Sequence, residues 1–120
     1  MAVISKVILN KTDSSSPHGI FEPSAEAIQY IIDNYEKLGL KPSPVVTSYF
    51  EDGTSLPGTH PGWVKREAVT IFFNQDIWDK FYNDPVLTAA GLNQNPAAVE
   101  VRRAYYDLHG VTETVEVTNT

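Results

Sequence analysis

The sequence contains no cysteine. Disulfides, thiolate metal sites and cysteine nucleophiles are therefore excluded. Basic residues are scarce: nine Lys and Arg stand against fifteen Asp and Glu, and the formal charge is -6. No basic run and no basic stripe with interleaved aromatics offsets that balance, so a nucleic-acid backbone or an anionic membrane surface is repelled. No apolar stretch approaches the roughly 18 residues of a membrane span. No charged leader precedes an apolar run with a small-residue cleavage site. The expectation is a cytoplasmic protein that meets neither membrane nor nucleic acid. The glycine-rich phosphate loop, the His-Glu-x-x-His and Gly-x-Ser-x-Gly signatures and the calcium loop are missing too. No cofactor is expected. The sequon Asn10-Lys11-Thr12 reads as coincidence in a chain without a leader.

What is present describes one α+β domain over residues 1–120. Hydrophobic residues make up 42% and charged residues 20%, a globular composition with enough apolar surface for a core. Val3, Val7 and Leu9 alternate with Ile4 and Ile8, so the first strand is apolar on both faces. A polar loop runs from Asn10 to Pro17. A helix follows over 24–38, entered from Pro23, with Ile28, Ile31, Ile32 and Tyr35 as its buried stripe and Gly39 as its left-handed terminator. Pro42-Ser43-Pro44 leads into a strand from Pro44 or Val45 to Glu51. A turn-rich loop holding Gly53, Pro57, Gly58, Pro61 and Gly62 spans Asp52 to about Lys65. Loops of this length inside a compact domain are more often functional than not.

The third strand, Glu67 to Phe73, places Val69, Ile71 and Phe73 on one face and Ala68 and Phe72 on the other. Asn74 caps a short helix with Ile77, Trp78, Phe81 and Tyr82 on one face, ended by Asp84-Pro85. A further turn ends at Gly91. The last helix has Asn95 as N-cap, Pro96 as its first residue, Val101, Ala104, Tyr105 and Leu108 as its stripe, and Gly110 as its stop. In the final strand, Val111 to Val117, valines alternate with Thr or Glu, which suits an outer strand.

The order β-α-β-β-α-(α)-β is the split β-α-β, ferredoxin-like pattern: an antiparallel four-stranded sheet with helices on one face. Helices cover one side of that sheet, yet the first and third strands are apolar on both. A second copy is the expected cover, giving a homodimer packed sheet to sheet. This combination resembles the dimeric α/β-barrel superfamily, which includes antibiotic-biosynthesis monooxygenases, polyketide cyclases and stress-responsive barrel proteins. Most of the chain shares the element order. At residue level the similarity lies in Val69-Thr70-Ile71-Phe72-Phe73-Asn74-Gln75-Asp76-Ile77-Trp78-Asp79-Lys80-Phe81 and in the Asn83-Asp84-Pro85 break. The resemblance implies a pocket for a small organic molecule. The long loops after the first strand and between the second and third, and the extra helix, depart from the pattern. No catalytic set of any member family maps onto this chain.

Residues for chemistry are sought at one end of that topology. There the loop after the first strand, the hairpin loop and the turn into the last strand meet, bringing His18, His60 and His109 near Asp13, Glu51 and Asp52. Imidazoles with a carboxylate suit a transition metal, and one imidazole suits proton transfer. Solvated loop histidines, with His109 as a favourable charge at a helix C-terminus, are the plainer reading. For a cofactor-independent oxygenase or cyclase on a phenolic or polyketide-like substrate, His60 and Tyr49 are the candidate catalytic groups. Trp63, Arg66, Asn74, Phe72 and Trp78 are the candidate substrate contacts, although aromatics at these spacings are ordinarily core. No metal site is assigned; a metal-dependent lyase or dioxygenase would use His18, His60 and His109. The non-enzymatic alternative is an interaction or assembly protein that uses its long loops and sheet face. Arg102 and Arg103, beside Glu100 and Asp107, read as a helical salt pair with Asp107 or as an exposed face. Binding of an anionic substrate is the sharper reading, and Arg66, at the start of the third strand next to the hairpin loop, is the better candidate for it.

Overall fold

The computed structural model describes residues 2–12, 20–39 and 44–119. In chain order they form β1 (Val3–Lys11), α1 (Ala25–Asp33), β2 (Val45–Tyr49), β3 (Ser55–Pro57), β4 (Lys65–Phe72), α2 (Gln75–Tyr82), α3 (Pro85–Ala90), α4 (Pro96–Leu108) and β5 (Val111–Asn119). The sheet order is β3-β2-β4-β1-β5, and every neighbouring pair is antiparallel. This α+β arrangement is compatible with a ferredoxin-like fold. It has five strands, not the four expected. The additional strand lies in the loop read as irregular, where Ser55–Pro57 pair with Thr47, Ser48 and Tyr49. A tight turn makes that possible: Phe50 N–H donates to Thr54 O at 2.9 Å, Gly53 takes the left-handed φ of +86°, and Asp52 Oδ1 accepts from Thr54 N at 2.9 Å.

Side-chain alternation divides the sheet cleanly. Val3, Leu9, Phe72 and Val111 point to the helical side and are buried. Ile4, Ile8, Val69 and Ile71 point to the other side, as their register requires. One cluster at the start of β1 gathers Val3, Leu38, Phe72, Trp78, Phe81 and Leu87. A second cluster at its end gathers Leu9, Trp63, Tyr106 and Val111.

Local signals for helix ends hold. Ser24, Asn74, Asp84 and Asn95 each accept a backbone N–H at the start of a helix. Asp84 does more: its other oxygen accepts from the Tyr30 hydroxyl at 2.5 Å, tying α1 to α3. That bond raises the Tyr30 pKa, with burial and the Asp84 charge adding to it.

Element bounds and buried faces differ from the expected ones. The first helix is regular only to Asp33; residues 34–39 continue as turns, closed by Leu38 N–H to Asn34 O at 2.9 Å. Gly39 has the expected positive φ, +72°, and a Cβ there would also overlap Ile77 Cγ2. Ala27, Tyr30 and Ile31 face the core, and Ile28 and Ile32 point outward. The Tyr30–Asp84 bond sets that rotation. On α4 the buried line is Ala98, Arg102 and Tyr106, not Val101 and Leu108, both of which are exposed. An arginine occupies the stripe, and hydropathy spacing cannot show a buried cation. The strand after the hairpin starts at Lys65 and stops at Phe72, and the one before it stops at Tyr49. The polar loop expected from Asn10 starts later, because Asn10 and Lys11 belong to β1. Leu40, Pro42, Ser43 and residues 13–19, with Asp13 and His18, lie outside the described residues. Among the described residues no helix is long and apolar enough to cross a membrane.

Candidate functional site

The helical face of a sheet is normally apolar along its whole width. Here three charged residues interrupt it: Lys11 at the end of β1, over the Trp63 ring, and two further inside the sheet. Arg66 of β4 and Glu113 of β5 both pair with Leu9 of β1, so they flank one leucine on the inward face. Their charges do not meet. Glu113 is taken from above by Arg102 of α4: Nε donates to Oε2 at 2.7 Å and Nη2 to Oε1 at 2.8 Å, a two-pronged pair with both side chains under 10% exposed. The remaining prong of Arg102 donates to the carbonyls of Gly91, at 3.0 Å, and Asn93, at 2.5 Å.

Asn93 is itself fully buried. Its amide donates to Phe81 O, Tyr82 O and Thr88 Oγ1, and its side-chain oxygen accepts from Asn95 N. The turn between α3 and α4 is thus pinned from both sides.

Between these groups lies a cleft of about 240 Å³. Val7, Leu9 and Ala68 form its floor. Tyr106, Arg102 and Gln94 overhang it, and Ile20, Phe21 and Leu92 close its sides. Arg66 stands in the wall, half-buried, with Nε donating to Thr59 Oγ1 at 2.8 Å. Burial lowers the Arg66 pKa, partly offset by Tyr106. Burial likewise pushes the Tyr106 hydroxyl up, against a backbone N–H from Phe21 that donates to it. The phenol is therefore protonated at neutral pH. Gln94 Oε1 is buried in this wall and has no hydrogen-bond partner. A neighbouring hollow of about 260 Å³ shares Tyr106 and Glu113 and is otherwise bounded by Val99, Val111 and the exposed Arg103, Asp107 and Thr112, with Arg103 already paired with Glu100.

Only Arg66 of the expected site residues lines the cleft. Trp63 is buried beside it in the Leu9–Tyr106 cluster, with Lys11 Nζ 4.1 Å from its ring centre. Phe72 and Trp78 pack edge to face at 5.0 Å in the other cluster. Asn74 spends its side-chain oxygen on the Ile77 N–H, 2.9 Å away. Tyr49 lies on the opposite face of the sheet from Arg66, where its hydroxyl donates to Glu67 Oε2 at 3.2 Å. Burial alone would raise the Glu67 pKa; Lys65, Lys6 and that hydroxyl more than offset it, and the carboxyl titrates below its usual range.

His60 Nε2 lies 2.6 Å from Pro57 O, and its backbone N–H donates to Ser48 Oγ. The His109 ring rests on Tyr105, 4.4 Å between centres. His18 lies outside the described residues. Among the described residues no group of three or more metal-capable side chains is gathered.

Sequence reasoning missed Arg102 and Glu113, and the one signal that could have found them is their position. Residue 113 occupies an inward position among Val111, Val115 and Val117, and Arg102 continues an i, i+4, i+8 line with Ala98 and Tyr106. Two opposite charges at inward positions point to each other. The expected pairing of Arg102 with Asp107 is thereby replaced. No protein-family model matches the chain, and no curated protein matches it.

Removing one partner of such a pair strands the other charge. Glu113→Leu should therefore cost about 3–5 kcal/mol of unfolding free energy. The double variant Arg102→Met/Glu113→Leu should recover much of that loss, with a coupling of about 2–3 kcal/mol in a urea-unfolding cycle. Additive losses would contradict the pairing.

Proposed function

We propose that the chain is a small-molecule-binding protein of the dimeric α/β-barrel type, working as a homodimer whose sheets meet through their uncovered faces. The cleft carries this reading. A helical face without a hollow would favour assembly alone; an open cleft with an apolar floor and a few placed polar groups suits a small ligand. Binding, rather than base catalysis, is what its groups support. Glu113 is held by Arg102, and Tyr106 keeps its proton. A cyclase or oxygenase acting here on a phenolic substrate would have Tyr106 as its proton donor.

The dimer rests on the uncovered face. Val45 is 68% exposed, Ile71 55%, and Phe73, just past the end of β4, 82%. Val45 pairs with Val69, and Ile71 with Ile4, so the apolar residues adjoin across β2, β4 and β1. Contiguous exposed apolar surface of this sort marks an interaction site, and an identical face supplies matching chemistry. The Lys6–Glu67–Lys65 cluster lies on the same face, with Lys6 opposite Val69 and Glu67 opposite Ile8, so a facing copy would also meet paired charges.

Phenol, a neutral probe, should bind in ligand-observed NMR in the millimolar range, and Ala68→Phe, which fills the floor, should weaken it about tenfold. Undiminished binding to the filled variant would contradict the cleft as the site. Sedimentation at micromolar concentration should give about twice the 13.3 kDa chain mass, with Ile71→Lys shifting it to the single-chain value. A wild-type monomer would contradict the pairing of faces.

A further inference from the structure

We propose that the cleft selects a small organic monoanion, a carboxylate on a compact apolar body, gripped end-on by the guanidinium of Arg66. This rests on the small-molecule reading above and narrows it to a chemical class. The charges alone point that way. Two guanidinium groups, Arg66 and Arg102, share the cleft with one carboxylate, Glu113, leaving one positive charge over. Glu113 is committed to Arg102 through both oxygens. Among the described residues Arg66 forms no ion pair. A partly desolvated cation without a counter-charge is costly, and an anion at its open side removes that cost.

Geometry narrows the anion. The bond from Nε to Thr59 fixes the plane of the Arg66 fork and leaves both terminal nitrogens. Their parallel N–H bonds match the two oxygens of a carboxylate. Tyr106 adds a donor. Its oxygen already accepts the Phe21 N–H, and its proton has no acceptor among the described residues. Gln94 Oε1, the buried acceptor left unpaired, suits a hydroxyl or N–H elsewhere on the ligand. Val7, Leu9, Ala68 and Leu92 offer nothing polar, so the body between these anchors is apolar. A cleft of about 240 Å³ is smaller than the roughly 300–1,000 Å³ of drug-sized sites, which limits the body to a single ring or a short branched chain. Inorganic phosphate would use the fork but leave the apolar walls unfilled.

Titration of the whole chain, followed by ¹H–¹⁵N NMR, tests this with three probes: 4-hydroxybenzoate, 4-hydroxybenzyl alcohol and inorganic phosphate. The acid should bind about tenfold more tightly than the alcohol and than phosphate, with shifts centred on Leu9, Ala68 and Gln94. Arg66→Met should abolish the preference for the acid; Arg66→Lys, which keeps the charge but not the fork, should retain part of it. Equal binding of acid and alcohol to the wild type would overturn the anion assignment and leave the small-molecule reading standing. Phosphate binding as tightly as the acid would overturn the apolar body. If neither organic probe moved the cleft resonances, both readings would fall. The wild-type ratio decides even if a variant fails to fold.

Discussion

A guanidinium taken out of water must find partners for all its donors, and the helical layer of this protein is arranged around doing so for Arg102. Its bonds reach strand β5 through Glu113 and the α3–α4 turn through the carbonyls of Gly91 and Asn93. Each of those groups is buried, and each would be unsatisfied if α4 slid or rotated by one residue. Apolar contacts alone tolerate such slippage; a two-pronged charged pair does not. Taking both ions from water costs several kcal/mol apiece, so the pair defines one packing of helix on strand more than it adds to stability. Asn93 extends the constraint to the ends of α2 and α3 through its three donated bonds.

The cleft is a consequence of that arrangement. With Arg102 and Tyr106 fixed over β5, the middle of the sheet, at Val7 and Ala68, stays partly uncovered on the helical side. Arg66 reaches the same opening from β4 but lies across Leu9 from the committed carboxylate. The two arginines thus differ by what each can reach: Arg102 is taken up by Glu113 and two carbonyls, and Arg66 is left at the opening. The two faces of the sheet differ as well: the helical face holds the cleft, and the other leaves Ile71 and Val45 exposed.

The fold was legible where the signal was local. Caps at Asn74 and Asn95-Pro96, the left-handed glycines and the alternation in Val3–Leu9 depend on a few adjacent residues, and each stands as read. Strand β3 escaped notice because three residues of a turn-rich loop become a strand only by pairing with β2. The outward turn of Ile28 and Ile32 depends on a bond between Tyr30 and Asp84, which are 54 residues apart. Of the candidate site, Arg66 was legible from its place at the start of a strand beside a long loop. Arg102, Glu113 and Gln94 were not, because charged and amide side chains read as solvated until a partner is known. Tyr49 and Asn74 have side chains suited to substrates, but backbone register and capping direct them elsewhere.

The burial of Arg102 can be observed directly. In ¹H–¹⁵N spectra at neutral pH, its Nε–H should give a resolved signal that exchanges with water far more slowly than that of the exposed neighbour Arg103, an internal reference in the same molecule. An Arg102 signal that exchanged as quickly as that of Arg103 would mean that the guanidinium is in water, and the clamp on β5 and the cleft wall it supports would not exist.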